Sequence, residues 1–191
     1  MKIITAAASA AILSLTAVPA AAQQRPQAEL LAAQKAALAK LAWMDGEWRG
    51  PAVTQTETGE HRVTQTERIG PMIDGTLKVV EGRGFNPDGT KGFNAFGVIS
   101  FNPYSSKYEF RAYAQGNAGT FAINPTSDGY VWETPAGPGM IIRYTATLAG
   151  GTWTEVGDRI AAGKPAVRFF EMHLKRVGNS PWPGAGAMKA K

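Results

Sequence analysis

From Trp48 onward, apolar and polar residues alternate in a series of short runs, each ended by turn-forming residues, and this pattern leaves few folds open. Alternate residues of a strand share a face, so a period near two marks strands with one buried side. The spacing predicts strands at 47–57, 61–69, 75–84, 92–102, 107–115, 118–124, 129–134, 140–149, 151–159 and 165–176. These runs are rich in Val, Ile, Thr and aromatic residues, which suit a pleated surface. Between them stand Thr58-Gly59, Asp74-Gly75, Asp88-Gly89, Gln115-Gly116-Asn117, Ser127-Asp128-Gly129 and Gly150-Gly151. Such residues supply the positive φ of tight turns between antiparallel neighbours. Short links imply a meander, and closing a meander into a barrel removes its exposed edges. The expected fold is all-β: a single antiparallel meander barrel of about ten strands, with a short N-terminal helix.

The chain ahead of the strands differs in kind. Residues 28–42 are rich in Ala, Leu, Gln and Lys, all good helix formers. Leu31, Leu38, Leu41 and, less regularly, Leu30 form an apolar stripe at helical spacing, which predicts a helix capping the barrel. Gly46 ends this region and begins the first strand. Further upstream, Lys2, the apolar run from Ile3 to Val18 and the small residues Ala20-Ala21-Ala22 have the layout of a secretory signal cleaved after Ala22. The run falls short of the roughly 20 residues a spanning helix needs, so no membrane span is expected after cleavage. The expected division is a signal peptide at 1–22, a helical segment at 23–45, a barrel at 46–177 and a disordered tail at 178–191. The expected location is periplasmic or secreted.

Composition removes several classes of function. There is no cysteine, hence no disulfide scaffold, no thiol chemistry and no lipid-carrying cysteine. The formal charge is +5, but the basic residues are scattered, and a nucleic-acid partner would call for a cluster. His61 and His173 lie far apart in sequence without partners at metal-ligand spacing, so no metal site is expected. No Gly-x-Ser-x-Gly elbow occurs, and Gly82-Arg83-Gly84 leads into Phe85-Asn86-Pro87-Asp88-Gly89 rather than a helix, which excludes a dinucleotide fingerprint.

Strand alternation sorts the side chains into faces. In the last strand Phe170, Met172 and Leu174 form the apolar face, joined by Arg168, while Glu171, His173 and Lys175 face water. Ile142, Tyr144, Ala146 and Leu148 point inward from one strand, and Tyr108, Phe110, Ala112 and Ala114 from another. Two strands place charge on the apolar face: Glu67 with Val63, Gln65 and Ile69, and Glu81 and Arg83 with Leu77 and Val79. Glu67, Glu81, Arg83 and Arg168 are thus expected inside, neutralising one another or orienting a polar ligand group. A one-residue bulge in either of the two charged strands would turn its set outward. Among the tryptophans, Trp132 and Trp153 are the better candidates for a pocket wall.

With these residues in place, the chain resembles a family of bacterial secreted proteins of unknown function with a lipocalin-like, calycin-type barrel. The resemblance rests on Leu41-x-Trp43-Met44-x-Gly46-Glu47-Trp48-x-Gly50, on Ile69-Gly70-Pro71-Met72-Ile73-Asp74-Gly75, on Gly97-Val98-Ile99-Ser100-Phe101-Asn102-Pro103 and on Phe170-Glu171-Met172 near the end. It covers about residues 41–177 and implies no catalytic residues, since the family has none established. More distantly, the Gly46-x-Trp48-x-Gly50 opening is similar to that of nitrobindin-type barrels, which hold haem through a His on a late strand. Only His173 could play that part, and its place on the polar face argues against haem; no cofactor is expected.

Three functions remain in view. The first is a periplasmic protein binding a small apolar or aromatic molecule, with walls from Trp48, Tyr108, Phe110, Trp132, Tyr144 and Phe170. Glu67, Glu81, Arg83 and Arg168 would orient the polar end of that ligand. The second is a barrel enzyme performing proton transfer, isomerisation or elimination, with Glu67 and Glu81 as acid and base and Tyr108 and Tyr144 as hydrogen-bond donors. The third is a structural or interaction module with a filled barrel. Fold alone does not decide among them, and the sequence leaves the oligomeric state open.

Overall fold

The computed structural model describes residues 25–180. The proposed signal peptide and cleavage site, and the tail beyond Ser180, lie outside these residues. A helix, α1 (Gln27–Ala39), and a single 3-10 turn (Ala42–Met44) lead into ten strands: β1 (Gly46–Thr56), β2 (Gly59–Met72), β3 (Leu77–Phe85), β4 (Lys91–Asn102) and β5 (Lys107–Ala114), then β6 (Asn117–Pro125), β7 (Gly129–Pro135), β8 (Met140–Ala149), β9 (Thr152–Ala161) and β10 (Val167–Gly178). Each strand pairs antiparallel with the next, and β1 pairs with β10 to close the barrel. This is the meander that the alternation predicts. No helix among the described residues is long and apolar enough to cross a membrane.

One end of the barrel is closed and packed. Gly46 turns the chain into β1 with a φ of +135°, where an added Cβ would meet the Gly178 carbonyl at 2.8 Å. The 3-10 turn just before it sinks into the barrel, burying Leu41 and Met44 against Trp48 and Trp153. The Trp48 indole N–H donates to the Met44 carbonyl at 2.8 Å, tying this turn to β1. The buried Lys78 ammonium pairs with Asp45 at the same end. Trp43, Trp48, Tyr130 and Trp153 form one ring cluster, with Trp153 edge-on to Trp43 at 5.3 Å and to Trp48 at 5.6 Å.

Helix α1 lies against this end less fully than its leucine stripe predicts. Ala37 and Leu38 are buried, whereas Leu31 is exposed. The helix docks through its second half, where Tyr108 donates to the Ala37 carbonyl at 3.0 Å and Gln34 to the Phe101 carbonyl at 3.3 Å.

Candidate functional site

The inner face of β3 to β5 carries several small residues among larger ones such as Val80, Ile99 and Phe110. Gly82, Gly92, Ala95, Gly97 and Ala112 all line the interior there. Opposite them stand the large rings of β7, β8 and β10: Trp132, Tyr144 and Phe170. The mismatch leaves a cavity of about 420 Å³, with its floor at Met44 and Trp153 and its mouth near Thr54, His61 and Phe93. Trp132 stacks on Tyr144 at 4.4 Å and 11°, and Phe110 meets Trp132 edge-on at 5.3 Å. Two glycines make room for specific neighbours. A Cβ on Gly97 would lie 2.3 Å from the Phe110 ring, and one on Gly82 would lie 2.8 Å from Glu67 Oε1. Both substitutions would displace a cavity-lining side chain.

Two carboxyl groups reach into this apolar space. Glu67 (β2) and Glu155 (β9) are 9% and 8% exposed. Gln65 donates to Glu67 Oε1 at 2.7 Å, and the Tyr130 hydroxyl donates to Glu155. Burial pushes the Glu67 acid up to about 8, against the Gln65 hydrogen bond and with help from repulsion by Glu155 and Glu81. Burial likewise raises Glu155 to about 7, while hydrogen bonds from Tyr130 and Trp132 pull it back. Tyr130 is itself held protonated by burial and by the nearby Glu155 charge, which fits its role as donor. Burial also lifts Tyr144, to about 12.

The residues singled out from sequence divide into two groups. Glu67, Phe110, Trp132, Tyr144 and Phe170 line the cavity. Trp48 does not: it is packed behind Trp153 in the closed end. Tyr108 is spent on helix α1. Glu81 and Arg83 are on the outer face, correcting their expected place inside. Glu67 is paired with Gly82, and Arg68 with Glu81, and cross-strand partners share a face. Glu81 bridges Arg68 and Arg83 there. Since the inward positions of β3 are Val80, Gly82 and Gly84, its interior face carries little apolar signal, and the neighbouring Val79 misleads. Arg168 is also outside, pairing with Asp158 at 2.6 Å. A bulge between Arg168 and Phe170 inserts Phe169 and turns Arg168 outward, while Phe170, Met172 and Leu174 keep the inward face expected for them.

Sequence reasoning missed Glu155 and Tyr130, and placed Gln65 on the inward face without anticipating its hydrogen bond to Glu67. The signal for Glu155 was its spacing of two from Trp153, which shares its face. Tyr130 stands beside the Asp128-Gly129 turn and has no apolar run before it. His173 is on the outer face, bonded to Glu171 at 2.7 Å and Thr154 at 3.1 Å. It therefore does not fit the part of a haem ligand inside the barrel. With Glu81 outside and bridged to two arginines near solvent, Glu81→Gln is expected to change stability by less than about 1 kcal/mol, as is usual for such pairs. Chemical denaturation checks this, and a larger loss would place Glu81 in the core framework.

No family model matches the chain, and no curated protein matches it. Solved structures do. One is the crystal structure of Rv2717c from M. tuberculosis, which superposes with a TM-score of 0.55 at 13% identity, over 74% of this chain and 97% of that one. The likeness is one of fold. At such identity it supports the barrel and carries no residue roles across.

Proposed function

We propose that this barrel binds a small, largely apolar or aromatic molecule in its interior, after export to the periplasm or beyond. The observation that carries the reading is the cavity of about 420 Å³, walled by aromatic rings and holding two buried carboxyl groups. Pockets of this kind, mostly apolar with a few convergent polar groups, are typical of small-molecule sites. A filled, purely structural barrel would have no need of such a space. The export part of the reading rests on the signal-like segment ending at Ala22.

A second reading, proton transfer on the bound molecule, is favoured by the same acids. A carboxyl group titrating near neutrality can take up or release a proton at working pH. Glu155 would be the base and Glu67 the acid, with Glu155 replacing the Glu81 of the sequence-based reading. Binding stands first because it needs only the cavity.

Native mass spectrometry of protein purified from its own host tests both parts of the main reading. The expected result is a chain beginning at Gln23 that carries a non-covalent adduct lost on denaturation. A soluble chain retaining Met1 overturns the export. An adduct-free mass, joined to a failure to take up any small aromatic probe, overturns the binding.

A further inference from the structure

The lining of the cavity is lopsided in charge. Its carboxyl groups are Glu67 and Glu155, and no Lys or Arg lines it. The positive groups nearby are otherwise placed. Lys78 is bound to Asp45 at the closed end. Arg159 shares the inward face of β9 with Trp153, Glu155 and Gly157 but stands toward the mouth, exposed and over the Phe169 ring at 4.4 Å, where its charge acts on Tyr144. Arg68 and Arg83 are outside with Glu81. His61, at the mouth, is hydrogen-bonded to Asn86 at 3.1 Å. The remaining titratable groups facing the acids are the Tyr130 and Tyr144 hydroxyls.

We propose that the molecule held in this cavity is an organic amine, with its protonated nitrogen between Glu67 and Glu155 and an aromatic or alkyl body against Trp132, Tyr144 and Phe110. This rests on the barrel being a small-molecule binder and names the chemical class of its ligand. Two observations support it besides the two acids. Glu67 Oε2 accepts no hydrogen bond from the described residues, although the side chain is nine-tenths buried and lines the cavity. The walls are aromatic, with Trp132, Tyr144 and Phe110 in the lining, and a ring face turned to the ligand would favour a cation.

Other ligand classes fit less well. An anion would meet two acids, with no Lys or Arg among the lining residues and Arg159 only at the exposed mouth. A neutral alcohol could use one hydrogen bond but would gain nothing from ionisation of the two acids. A cation gains from both carboxylates at once, and charge-assisted hydrogen bonds are roughly twice as strong as neutral ones. At neutrality the free protein holds Glu67, titrating at about 8, largely protonated and Glu155, titrating at about 7, about half protonated. An aliphatic ammonium stays charged well above that range. Binding should therefore expel protons, and affinity should rise with pH until both acids are ionised.

Calorimetric titration with three probes sharing one ring system decides the matter: 2-(1-naphthyl)ethylamine, 2-(1-naphthyl)ethanol and 1-naphthylacetate. The amine is expected to bind roughly tenfold or more tighter than the alcohol, and the acetate weakest. Between about pH 6 and 8 the amine should tighten while the alcohol changes little, and paired buffers of different ionisation enthalpy should reveal proton release. Glu67→Gln and Glu155→Gln should each weaken the amine severalfold and leave the alcohol nearly unaffected. If the alcohol or the acetate binds as well as the amine, or if both Gln variants keep full amine affinity, the amine assignment is overturned while the binding barrel stands. If none of the three binds at any pH, the binding reading falls with it.

Discussion

Glu67→Gln and Glu155→Gln are each expected to make the protein more stable at alkaline pH than the unsubstituted chain. In the unfolded chain both acids titrate near the ordinary value of 4.5, whereas in the fold they titrate at about 8 and about 7. Between those values the folded state binds more protons than the unfolded state, so stability falls as pH rises. The favourable contribution is complete below about pH 4.5 and is lost as pH climbs through 7 and 8. By about pH 9 the penalty for ionising Glu67 is on the order of 3–5 kcal/mol, and that for Glu155 slightly less. The two are coupled, so they will not add in full. A glutamine mimics the protonated acid and can still accept from Gln65 or Tyr130. Denaturant unfolding at acidic, neutral and alkaline pH should show a declining midpoint for the unsubstituted protein and flatter profiles for the variants. A flat profile for the unsubstituted protein would mean that these acids are not buried as described.

Trp153→Ala is expected to be the most damaging single truncation among the aromatic residues. Trp153 is 1% exposed and touches the Trp43, Trp48 and Tyr130 rings, so it joins the closed end to the cavity floor. Removing a buried tryptophan side chain typically costs about 3–5 kcal/mol, because lost burial is compounded by a void that rigid neighbours cannot fill. Trp132→Ala should cost less, since that ring already borders open space and its neighbours have less to lose. Equilibrium denaturation of the two variants makes the comparison. A loss under about 1 kcal/mol for Trp153→Ala would show that the closed end is not a packed core.

The strand pattern was legible because turn chemistry and alternation agree along the chain, and each strand lies beside its sequence neighbour. The site was legible only where large rings mark the inward face, as at Phe110, Trp132, Tyr144 and Phe170. It was obscure where the inward residues are glycines. On β3 the interior belongs to Gly82 and Gly84, so the eye follows Val79 and brings Glu81 and Arg83 in by mistake. On β10 the apolar rings at Phe169 and Phe170 hide a bulge that sends Arg168 out. Glu155 went unremarked because a lone acid between Thr154 and Val156 looks like an ordinary solvated residue. Only the closure of β9 against β8 and β10 turns it toward Glu67.

The closed end has a consequence for how the molecule can be mounted. Helix α1 leaves from it, with Arg25 donating to the Pro103 carbonyl in the β4–β5 turn, and the final residue of β10, Gly178, pairs with Glu47 at the start of β1. Both ends of the described chain therefore emerge at the pole opposite the mouth. A tag, tether or fused protein attached at either end would hold the barrel like a cup by its base, with the rim turned outward. Attachment at Arg25 or Gly178 should leave ligand access unimpeded, whereas linkage through the Thr58–Gly59 or Pro87–Gly89 turns would crowd the opening.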